Sequence, residues 1–392
     1  MRILMLVATS VATDTRVLRE AAALADAGHV VHIVGKDVPD GFEPDVAGVS
    51  VSSAGARSPL RPGRGASDGS LSARGSLPPH VRLARWTLLP QHRNAAFGSW
   101  AQAAIVEART REFDVVHAHD FTALEAGDLL ATEAGVPLVY DTHELWAGRP
   151  REYRPTPLQD RREIRVEREL GERAAAVITV GDGVADALRS RYGWTHVTVV
   201  RNTFPDPGPD SPTAASPPTG LVYAGRIAAY RDLEAIAAAD VDLPVLMVGP
   251  ADATWLGSHA AELAGIEVRE PVSVAEVTDL LRAGGVALVT NSDKWDNHLL
   301  AQPNKLFHAV HAGVPVVATD VPELRRVVAG HGLGTLYRAG DAVDLARAVR
   351  ELLAEHPAYV ERVVAARSAL SWQADSETLI TLYDALGSPE AA

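Results

Sequence analysis

The sequence predicts an α/β protein made of two doubly wound, Rossmann-like domains, each built around a parallel sheet. Short apolar runs alternate with amphipathic helical patterns in both halves of the chain, which is typical of β-α-β units. A proline-rich stretch interrupts this alternation near the middle of the 392 residues, a length that favours two cores over one. Because such sheets bind ligands at the carboxyl ends of their strands, we expect the domains to face each other across a cleft that holds the site.

Composition excludes several classes of function. The net charge of −13 disfavours nucleic acid as a partner. The chain contains no cysteine, which excludes disulfides, thiolate zinc sites and a cysteine nucleophile. The apolar run MRILMLVAT lacks the basic region and cleavage site of a signal peptide, so we interpret it as a first strand. No apolar stretch is long enough to span a bilayer, and we therefore expect a cytoplasmic protein.

The first predicted domain covers residues 1–204. It opens with a strand, a helix at 15–27 and a second strand, VVHIVG. Residues 52–80 then carry glycine, proline, serine and arginine with little apolar material, so we predict a long mobile loop. Its arginines, in an acidic chain, leave two interpretations open: a floppy insertion or a lid on the acceptor side.

The remainder of this domain continues the alternation. A helix is predicted over 82–111, with Trp86, Leu88 and Leu89 near its start, and the strand FDVVHAH follows. A further helix precedes the strand VPLVYDTHEL, and a charged surface helix at 158–173 precedes the strand AAVITV. A helix and the strand HVTVVRN complete an open, mostly parallel sheet with helices on both faces.

The proline-rich stretch is the predicted domain boundary. Residues 205–218, PDPGPDSPTAASPP, have no apolar periodicity and contain six prolines, so we predict a semi-stiff linker. A second domain follows over 219–370, in which the strands GLVYAGR, PVLMVGP, IEVRE and GVALVTN alternate with helices. The last segment, 371–392, is predicted to be a helix that crosses back to the first domain.

The stretch 297–320, NHLLAQPNKLFHAVHAGVPVVATD, predicts a loop, a short helix and a buried strand. Pro303 suits the first turn of a helix, and Gly313 can end it. A helix start can hold an anion, whereas a cation such as Lys305 is unfavourable there. The chain has only three lysines, which suggests that Lys305 serves an anionic ligand. A solvated lysine at a helix start is the alternative on local grounds.

Seven motifs occur in order along both predicted domains, and together they carry a resemblance to a known family. They are DTRVLREAAALADAGHVVHIV, DVVHAHD, LVYDTHELW, RAAAVITVGDGVADAL, VVRN, YAGRI and the stretch around PNKLFHAVHAGVPVVA. The chain resembles a GT-B glycosyltransferase of the large retaining group often called family 4. The likeness is to the bacterial branch whose donor motif is PNKLFEYMAAGxPVVA. The resemblance implies the GT-B fold, a nucleotide diphosphate sugar as donor substrate, and no required cofactor or metal.

The resemblance also implies where the donor binds. Arg226, after Gly225, and Arg231 match the cations that hold the pyrophosphate, and arginine can donate to two oxygens at once. Lys305 and the N–H groups of its helix start would complete this anion site. Each of these cations could instead be a surface side chain. The other implied donor-binding positions are Val272, near the base, and Asn297, Pro303, Asn304 and Leu306.

His308 is a departure from the family pattern. It stands where relatives carry an acid that accepts hydrogen bonds from the ribose, and Leu300 stands at the position of an earlier acid. A neutral imidazole can accept one hydrogen bond, whereas a carboxylate offers two acceptor oxygens. Asp293 or Asp296 could compensate, or His308 could be an ordinary helix residue.

The first domain is expected to supply the acceptor side. The resemblance implies that His119, after its strand, reaches the donor sugar or the acceptor, whereas His117 is expected to pack inside the sheet. Asp120 follows at the carboxyl end of the strand. The remaining acceptor-side candidates are Asp141, His143 and Glu144 after the next strand, and Thr9, Ser10, Asp14 and Arg16 after the first. Two alternatives stay open: Asp141 could cap a helix, and Arg16 could pair with Asp14.

The function that the resemblance implies is transfer of a hexosyl group from a nucleotide diphosphate sugar to an acceptor hydroxyl with retention, without a metal. The proposed catalytic residues are His119, Arg226 and Lys305. A non-catalytic nucleotide-sugar-binding or scaffold protein is the alternative, because His308 replaces the motif carboxylate. The acceptor could be a small molecule, a lipid-linked sugar or a glycan. Trp86, Leu88, Leu89 and the arginine-rich loop would permit peripheral contact with the inner membrane face.

Overall fold

The computed structural model describes residues 1–55, 98–148 and 157–387. The chain forms two compact units, each an α/β body with parallel strands, as predicted. The first unit comprises Met1–His143, Arg151–Ile178 and Ile380–Ala392, and the second comprises Glu144–Pro150 and Thr179–Leu379. No described helix combines the length and the apolar character needed to cross a membrane.

The first sheet has seven strands in the order β3-β2-β1-β4-β5-β6-β7. Nearly all positions of β1, β4 and β5 are buried, which explains their continuous apolar runs. The strands are β1 (Arg2–Val7), β2 (Val30–Gly35), β3 (Val49–Ser53), β4 (Val115–His119), β5 (Leu138–Thr142), β6 (Ala176–Thr179) and β7 (Val197–Val199). The helices that accompany them are α1 (Thr15–Asp26), α2 (98–108), α3 (Phe121–Ala134), α4 (Pro157–Arg173) and α5 (Asp182–Tyr192).

The second sheet has six strands in the order β10-β9-β8-β11-β12-β13, with a hydrophobic core on each face. The strands are β8 (Gly220–Ala224), β9 (Val245–Val248), β10 (Glu267–Arg269), β11 (Gly285–Val289), β12 (Val316–Thr319) and β13 (Gly334–Tyr337). The helices are α6 (Leu233–Ala238), α7 (Ala253–Ser258), α8 (Val274–Gly284), α9 (Asp296–Leu300), α10 (Asn304–Ala312), α11 (Pro322–His331), α12 (Ala342–Ala354), α13 (His356–Ala366) and α14 (Trp372–Leu386).

The direction of strand progression reverses once in each sheet. The reversal lies between β1 and β4 in the first sheet and between β8 and β11 in the second. Connections leave such a point in opposite directions, which opens a crevice at the carboxyl ends of the two central strands. The crevice positions in this chain are the segments that follow β1, β4, β8 and β11.

A close backbone approach shapes the segment after β8. A Cβ built on Gly249, which has φ +144, would lie 2.2 Å from the carbonyl oxygen of Gly225. Only glycine allows this approach. The Gly225 N–H donates to the Val248 carbonyl at 2.9 Å and so ties the end of β8 to the end of β9. Gly225 therefore contributes a fixed backbone position immediately before Arg226.

The proline-rich segment 205–218 is fastened to the second unit rather than acting as a free spacer. The N–H groups of Ala214 and Ala215 donate to the carbonyls of Gly313 and Arg282, at 3.2 and 2.7 Å. Arg367 Nη2 donates to the Pro212 carbonyl at 3.2 Å. Hydrogen bonds with other parts of the second unit thus satisfy backbone groups of the segment. The segment belongs to the second unit, and the boundary between the two units lies elsewhere in the chain.

Three further predictions concern the ends of elements. Ser52 and Ser53, predicted to begin the long loop, are the last residues of β3. The rest of that loop lies outside the described residues from position 56, as does the start of the 82–111 helix with Trp86, Leu88 and Leu89. In the C-terminal helix α14, the residues from Ile380 onward belong to the first unit.

Candidate functional site

Charged and aromatic side chains of the first unit gather at the carboxyl ends of β4 and β5. His119 ends β4 and lies directly opposite Asp141 of β5 in the register of the two parallel strands. Helix α1 and the start of α3 contribute the remaining members. We call this set the histidine–carboxylate cluster; it comprises Arg16, Glu20, His117, His119, Asp120, Asp141 and His143.

Arg16 is the central cation of the cluster. Its guanidinium donates two hydrogen bonds to Asp141, from Nε at 3.0 Å and from Nη2 at 2.9 Å, and Nε also lies 3.0 Å from Glu20 Oε1. Although burial alone would raise the pKa of Asp141, Arg16 and His143 hold that pKa well below its usual value. Asp141 lies inside β5 and caps no helix, and Asp14 caps α1 through the N–H of Val17.

His143 lies between two carboxylates. Its Nδ1 is 3.3 Å from Asp120 Oδ2, and its Nε2 is 3.2 Å from Asp141 Oδ2. Burial alone would lower the pKa of His143, but these carboxylates raise it to about 9. The backbone of Asp120 has φ 63 and ψ 160, a strained conformation for a residue with a side chain. The strain places its carboxylate at the imidazole.

His119 and His117 stack on each other with ring centroids 4.2 Å apart, and both are fully buried. The hydroxyl of Tyr383, on α14, lies 2.9 Å from His117 Nδ1. Burial lowers the pKa of both histidines, so both are neutral near pH 7. No described residue forms a hydrogen bond with His119 Nε2. That nitrogen is consequently available to a ligand.

Glu20, His117, His119 and Asp141 each place one possible ligand atom within 4.8 Å of the others. The spacing alone would suit a metal ion. The guanidinium of Arg16, however, already contacts the side-chain oxygens of both Glu20 and Asp141. A second cation there would be repelled by Arg16 at short range. We assign no metal to these residues.

Replacing Glu20 by glutamine is expected to change how stability depends on pH. Burial raises the pKa of Glu20 to about 8, from 4.5 in the unfolded chain, so between these values the folded chain binds more protons. The stability that the protonated Glu20 side chain contributes is fully present below about pH 4.5 and is lost as pH rises through about 8. The variant should lie within about 1 kcal/mol of the wild type at pH 5 and be more stable by about 4–5 kcal/mol at pH 8.5.

Urea unfolding at several pH values measures this difference, with Glu112→Gln as the control. Glu112 is an exposed acid of the same unit whose side chain is 86% accessible, and its replacement should not change the pH dependence. Parallel curves for the wild type and Glu20→Gln between pH 5 and 8.5 would contradict the assignment of a protonated Glu20.

The other predicted acceptor-side residues divide between two places. Thr9 donates to Asp14 Oδ2 at 2.9 Å, and Ser10 Oγ lies 3.5 Å from the carbonyl of Asp37, so these residues shape the loop after β1. Glu144 belongs to the second unit, where it accepts a hydrogen bond from Asn297 Nδ2 at 2.9 Å. Glu144 was predicted to bind the acceptor and Asn297 to bind the donor. The two side chains form a hydrogen bond with each other.

A second site lies at the carboxyl ends of β8 and β11. The ammonium of Lys305 donates to the carbonyl of Thr290 and lies 4.7 Å from the centroid of the Tyr223 ring. Arg231 donates to Asn291 Oδ1 at 3.3 Å, whereas Arg226 is exposed. Within the described part of the chain, Arg226, Arg231 and Lys305 form no ion pair with a carboxylate. We call these three residues the cation cluster.

The backbone around Arg231 is strained and firmly held. Its neighbours Tyr230 and Asp232 have φ 65 and φ 57, which is uncommon for residues other than glycine. The carboxylate of Asp232 accepts hydrogen bonds from the Tyr337 hydroxyl at 2.7 Å and the Gly340 N–H at 2.9 Å. The carboxylate of Asp232 is therefore engaged by Tyr337 and Gly340, and it forms no ion pair with the guanidinium of Arg231.

Electrostatics make this site favourable for an anion. Burial and the neighbouring charge of Arg231 lower the pKa of Lys305 well below its usual value. Burial, Arg231 and Lys305 likewise lower the pKa of His298 to about 4. An anion bound here would relieve the repulsion between the cations and raise the pKa of Lys305 again.

The other predicted donor-binding residues differ in what they can contribute. Pro303 precedes the first helical residue of α10, and Asn304 accepts a hydrogen bond from Asn202 at 3.0 Å. Leu306 is fully buried in the core, so its side chain is not part of the site. Val272 is half-buried and packs against the same core. At these two positions the side chains serve packing, so the predicted ligand contacts would have to come from backbone groups.

His308 is also a packing residue. Its Nε2 lies 2.8 Å from the hydroxyl of Thr278, and its ring stacks on Phe204 with centroids 4.6 Å apart. Because that hydroxyl donates to the Val274 carbonyl, His308 must donate to it from Nε2. The imidazole is thus engaged inside the second unit through Nε2, which leaves only Nδ1 for the predicted hydrogen bond from a ribose.

Replacing His308 by glutamate is expected to lower the free energy of unfolding by about 1–3 kcal/mol. The substitution places a carboxylate at a nearly buried position against an aromatic ring. Urea unfolding measures the loss, with His331→Glu on the exposed end of α11 as control. Affinity for a nucleoside diphosphate should not change. A gain of affinity in His308→Glu would instead favour the non-catalytic interpretation of the natural protein.

Sequence reasoning missed three residues of these sites. Glu20 follows Arg16 by four positions, and this spacing on one helix face was a signal of the ion pair. Tyr223 alternates with apolar residues in β8, so only the packing indicates its contact with Lys305. Tyr383 lies 266 positions from His117, and no local pattern predicts their contact.

Comparison with known families gives two matches. Residues 13–205 match the model described as Glycosyltransferase Family 4, and residues 221–355 match the model described as Glycosyl transferases group 1. Between them, the two models account for most of the chain. Both candidate sites lie within these matched ranges, apart from Tyr383.

Known proteins with similar sequences are bacterial. The chain is 28% identical over 317 residues to a glycogen synthase of Mycobacterium tuberculosis, covering 76% of this chain and 73% of that protein. It is 29% identical to an alpha-maltose-1-phosphate synthase of Mycolicibacterium smegmatis, covering 69% and 78%. It is 28% identical to a D-inositol 3-phosphate glycosyltransferase of Thermobifida fusca, covering 70% of each chain.

Solved structures with the same fold include three that cover nearly the whole chain. A sucrose-phosphate synthase from Thermosynechococcus elongatus is 17% identical with a TM-score of 0.70, covering 98% of this chain and 99% of that one. Anabaena HepE in complex with UDP-glucose is 15% identical with a TM-score of 0.64, covering 98% of each. WaaG, a glycosyltransferase involved in lipopolysaccharide biosynthesis, is 15% identical with a TM-score of 0.64, covering 99% and 100%.

Proposed function

Because the chain is a GT-B glycosyltransferase, with a family 4 domain followed by a group 1 domain, we propose that it transfers a hexosyl group from a nucleoside diphosphate sugar to an acceptor hydroxyl. One observation carries the choice of donor. The cation cluster places Arg226, Arg231 and Lys305 at the carboxyl ends of β8 and β11, and no carboxylate among the residues that the structure describes pairs with them. A diphosphate provides the compensating charge, and the Anabaena HepE structure, solved with UDP-glucose, supports this class of donor.

The cation cluster would also act on the reaction itself. When the bond between the anomeric carbon and the phosphate oxygen breaks, negative charge develops on the departing diphosphate. Fixed cations that face this charge stabilise the transition state more than the ground state. The strained backbone around Arg231 keeps one of these cations in place before the donor arrives.

We further propose that the histidine–carboxylate cluster serves the sugar and the acceptor. His119 has a buried nitrogen without a partner among the described residues, and such a group binds an oxygen of the ligand at little cost. The support is the position of His119 at the strand-order reversal of the first sheet. Asp120 and His143, whose side chains contact each other, are proposed to belong to the same part of the site.

The states of two carboxyl groups in the histidine–carboxylate cluster support a proposal about the stereochemistry. Asp141 is held by Arg16, and Glu20 carries a proton at neutral pH, so neither is free to form a covalent sugar intermediate. We propose attack by the acceptor hydroxyl on the face that the diphosphate leaves, with the departing phosphate oxygen taking the hydroxyl proton. This route retains the anomeric configuration and needs no metal. The sequence around Lys305 supports the PNKLFEYM-type branch.

The test is a panel of nucleoside diphosphate sugars, incubated with the purified chain and bacterial acceptor extracts, with and without EDTA. Release of nucleoside diphosphate is the readout, and nuclear magnetic resonance of the product gives the anomeric configuration. We expect turnover with one donor class in the presence of EDTA and a retained anomer. Binding of a donor without turnover under any condition would support the non-catalytic alternative, and loss of activity in EDTA would overturn metal independence.

A further inference from the structure

The two histidines at the carboxyl ends of β4 and β5 face each other through one nitrogen each. His119 Nδ1 lies 3.3 Å from His143 Nε2, and Asp141 Oδ2 lies 3.4 and 3.2 Å from these two nitrogens. A hydrogen bond between two imidazole nitrogens contains a single hydrogen, so one ring donates and the other accepts. The direction of this bond determines which nitrogen of His119 carries its hydrogen.

Charge balance decides the direction. Asp120 and Asp141 each bring a negative charge, Arg16 brings one positive charge, and a protonated Glu20 brings none. A cationic His143 makes this buried set neutral, whereas a neutral His143 leaves one uncompensated negative charge. Both nitrogens of His143 face a carboxylate oxygen, which suits a ring that donates from both. Full burial of His119 makes it the neutral partner.

We propose that His143 is a positioning residue: as an imidazolium it donates from Nε2 to the Asp141–His119 pair and holds His119 in the tautomer that carries its hydrogen on Nε2. This inference rests on the proposed function, in which His119 contacts the reacting sugar. His119 would then act as a hydrogen-bond donor to a ligand oxygen and not as a general base, because its other nitrogen is occupied by the hydrogen of His143.

The groups that face this pair come from five elements. Helix α1 provides Arg16 and Glu20, β4 provides His117 and His119, and the N-terminus of α3 provides Asp120. Strand β5 provides Asp141, and α14 provides Tyr383 through its contact with His117. The carboxylates Asp120 and Asp141 raise the pKa of His143 to about 9, which is consistent with a charge that persists at neutral pH. The positioning effect should therefore be lost above about pH 9.

Nitrogen-15 resonances of the histidine rings test the inference in the free protein, without any substrate. They distinguish the two neutral tautomers and the cation of each imidazole. Signals of His119 and His143 are assigned by their loss in His119→Asn and His143→Gln. We expect His143 to remain a cation from pH 6 to about pH 8.5, and His119 to be neutral with its hydrogen on Nε2. A hydrogen on Nδ1 of His119 in the wild type would overturn the proposal.

In His143→Gln, His119 should change tautomer and donate from Nδ1 to Asp141, whereas in the exposed control His331→Gln it should not. If His143→Gln does not fold, Asp120→Asn replaces it. Asparagine tolerates the positive φ of this position and removes one of the two charges that keep His143 protonated. The pKa of His143 should then fall by at least one unit. An unchanged pKa, or an unchanged tautomer of His119, would contradict the positioning role.

Activity provides a separate readout. With a turned-over donor, His143→Gln should lower kcat by about 10- to 100-fold with less than a threefold change in the donor KM, and the fall of kcat near pH 9 should disappear. A protein that only lost packing would keep the wild-type pH profile. Because the tautomer is measured without substrate, failure of the proposed transfer reaction would leave the result on His143 interpretable.

Discussion

Replacing Lys305 by methionine is expected to weaken the binding of UDP by about 10- to 100-fold while the free energy of unfolding does not decrease. The ammonium lies between the Thr290 carbonyl and the Tyr223 ring, beside Arg231, and forms no ion pair with a carboxylate of the described residues. A charge-assisted hydrogen bond to a phosphate contributes about 1.5–3 kcal/mol, which corresponds to this change in affinity. Methionine keeps the length and packing of the side chain but removes its charge.

Isothermal titration calorimetry measures the affinity, and Lys294→Met is the matched control. Lys294 is an exposed lysine 11 positions earlier in the same unit, and its replacement should leave the dissociation constant within about twofold of the wild-type value. Equal affinities for UDP in the wild type and Lys305→Met would remove Lys305 from the donor site.

The lowered pKa of Lys305 gives the same experiment a second readout. Because burial and Arg231 lower the pKa of Lys305 in the free protein, an arriving diphosphate should raise that pKa and increase the number of protons that the protein binds. Titrations in two buffers of different ionisation enthalpy should therefore show proton uptake on binding. Lys305→Arg, which keeps its charge at all accessible pH values, should show less uptake.

Replacing His119 by alanine is expected to lower kcat by about 100- to 1,000-fold, the range typical of a preorganised hydrogen-bond donor that faces the reacting group. His119 is buried, and no described residue bonds its Nε2. The affinity for UDP should remain within about threefold, because the cation cluster belongs to the other unit of the chain. Separate effects on turnover and on diphosphate binding would assign the two sites different roles.

Steady-state kinetics with the active donor measure this effect, and thermal unfolding establishes that the variant is folded. His331→Ala, on the exposed end of α11, should retain the wild-type kcat. A His119→Ala variant that is folded and turns over at the wild-type rate would show that His119 takes no part in the reaction, whatever its position at the end of β4.

Several parts of the proposed donor site could be predicted from the sequence because they depend on local rules. An apolar run followed by a Gly-Arg pair predicts a strand end with a cation after it, as found at Gly225 and Arg226. The helix start before Lys305 was predicted from Pro303, and α10 begins one residue later. Strand order in doubly wound sheets then brings the segments after β8 and β11 together.

The roles of individual polar side chains were less accessible. Leu306 and His308 occupy motif positions next to Lys305, yet one packs in the core and the other bonds Thr278 and stacks on Phe204. A motif specifies neighbours along the chain, whereas a helix turns successive side chains by about 100°. Which side chains of α10 face the ligand therefore depends on how that helix packs against α8.

The sequence alone determined the α/β class, the two parallel sheets and the strand ends near which His119, Asp141 and Arg226 lie. It also showed that Lys305 is one of only three lysines in a chain whose other cationic side chains are arginines. These features follow from hydrophobic periodicity, turn residues and residue identity, which are local. The tertiary structure alone decided that Arg16 pairs with Asp141, 125 positions away, that the proline-rich segment is fastened to the second unit, and that Tyr383 contacts His117. A buried charge or polar group must find a partner, and strand register and helix packing determine which partner is within reach.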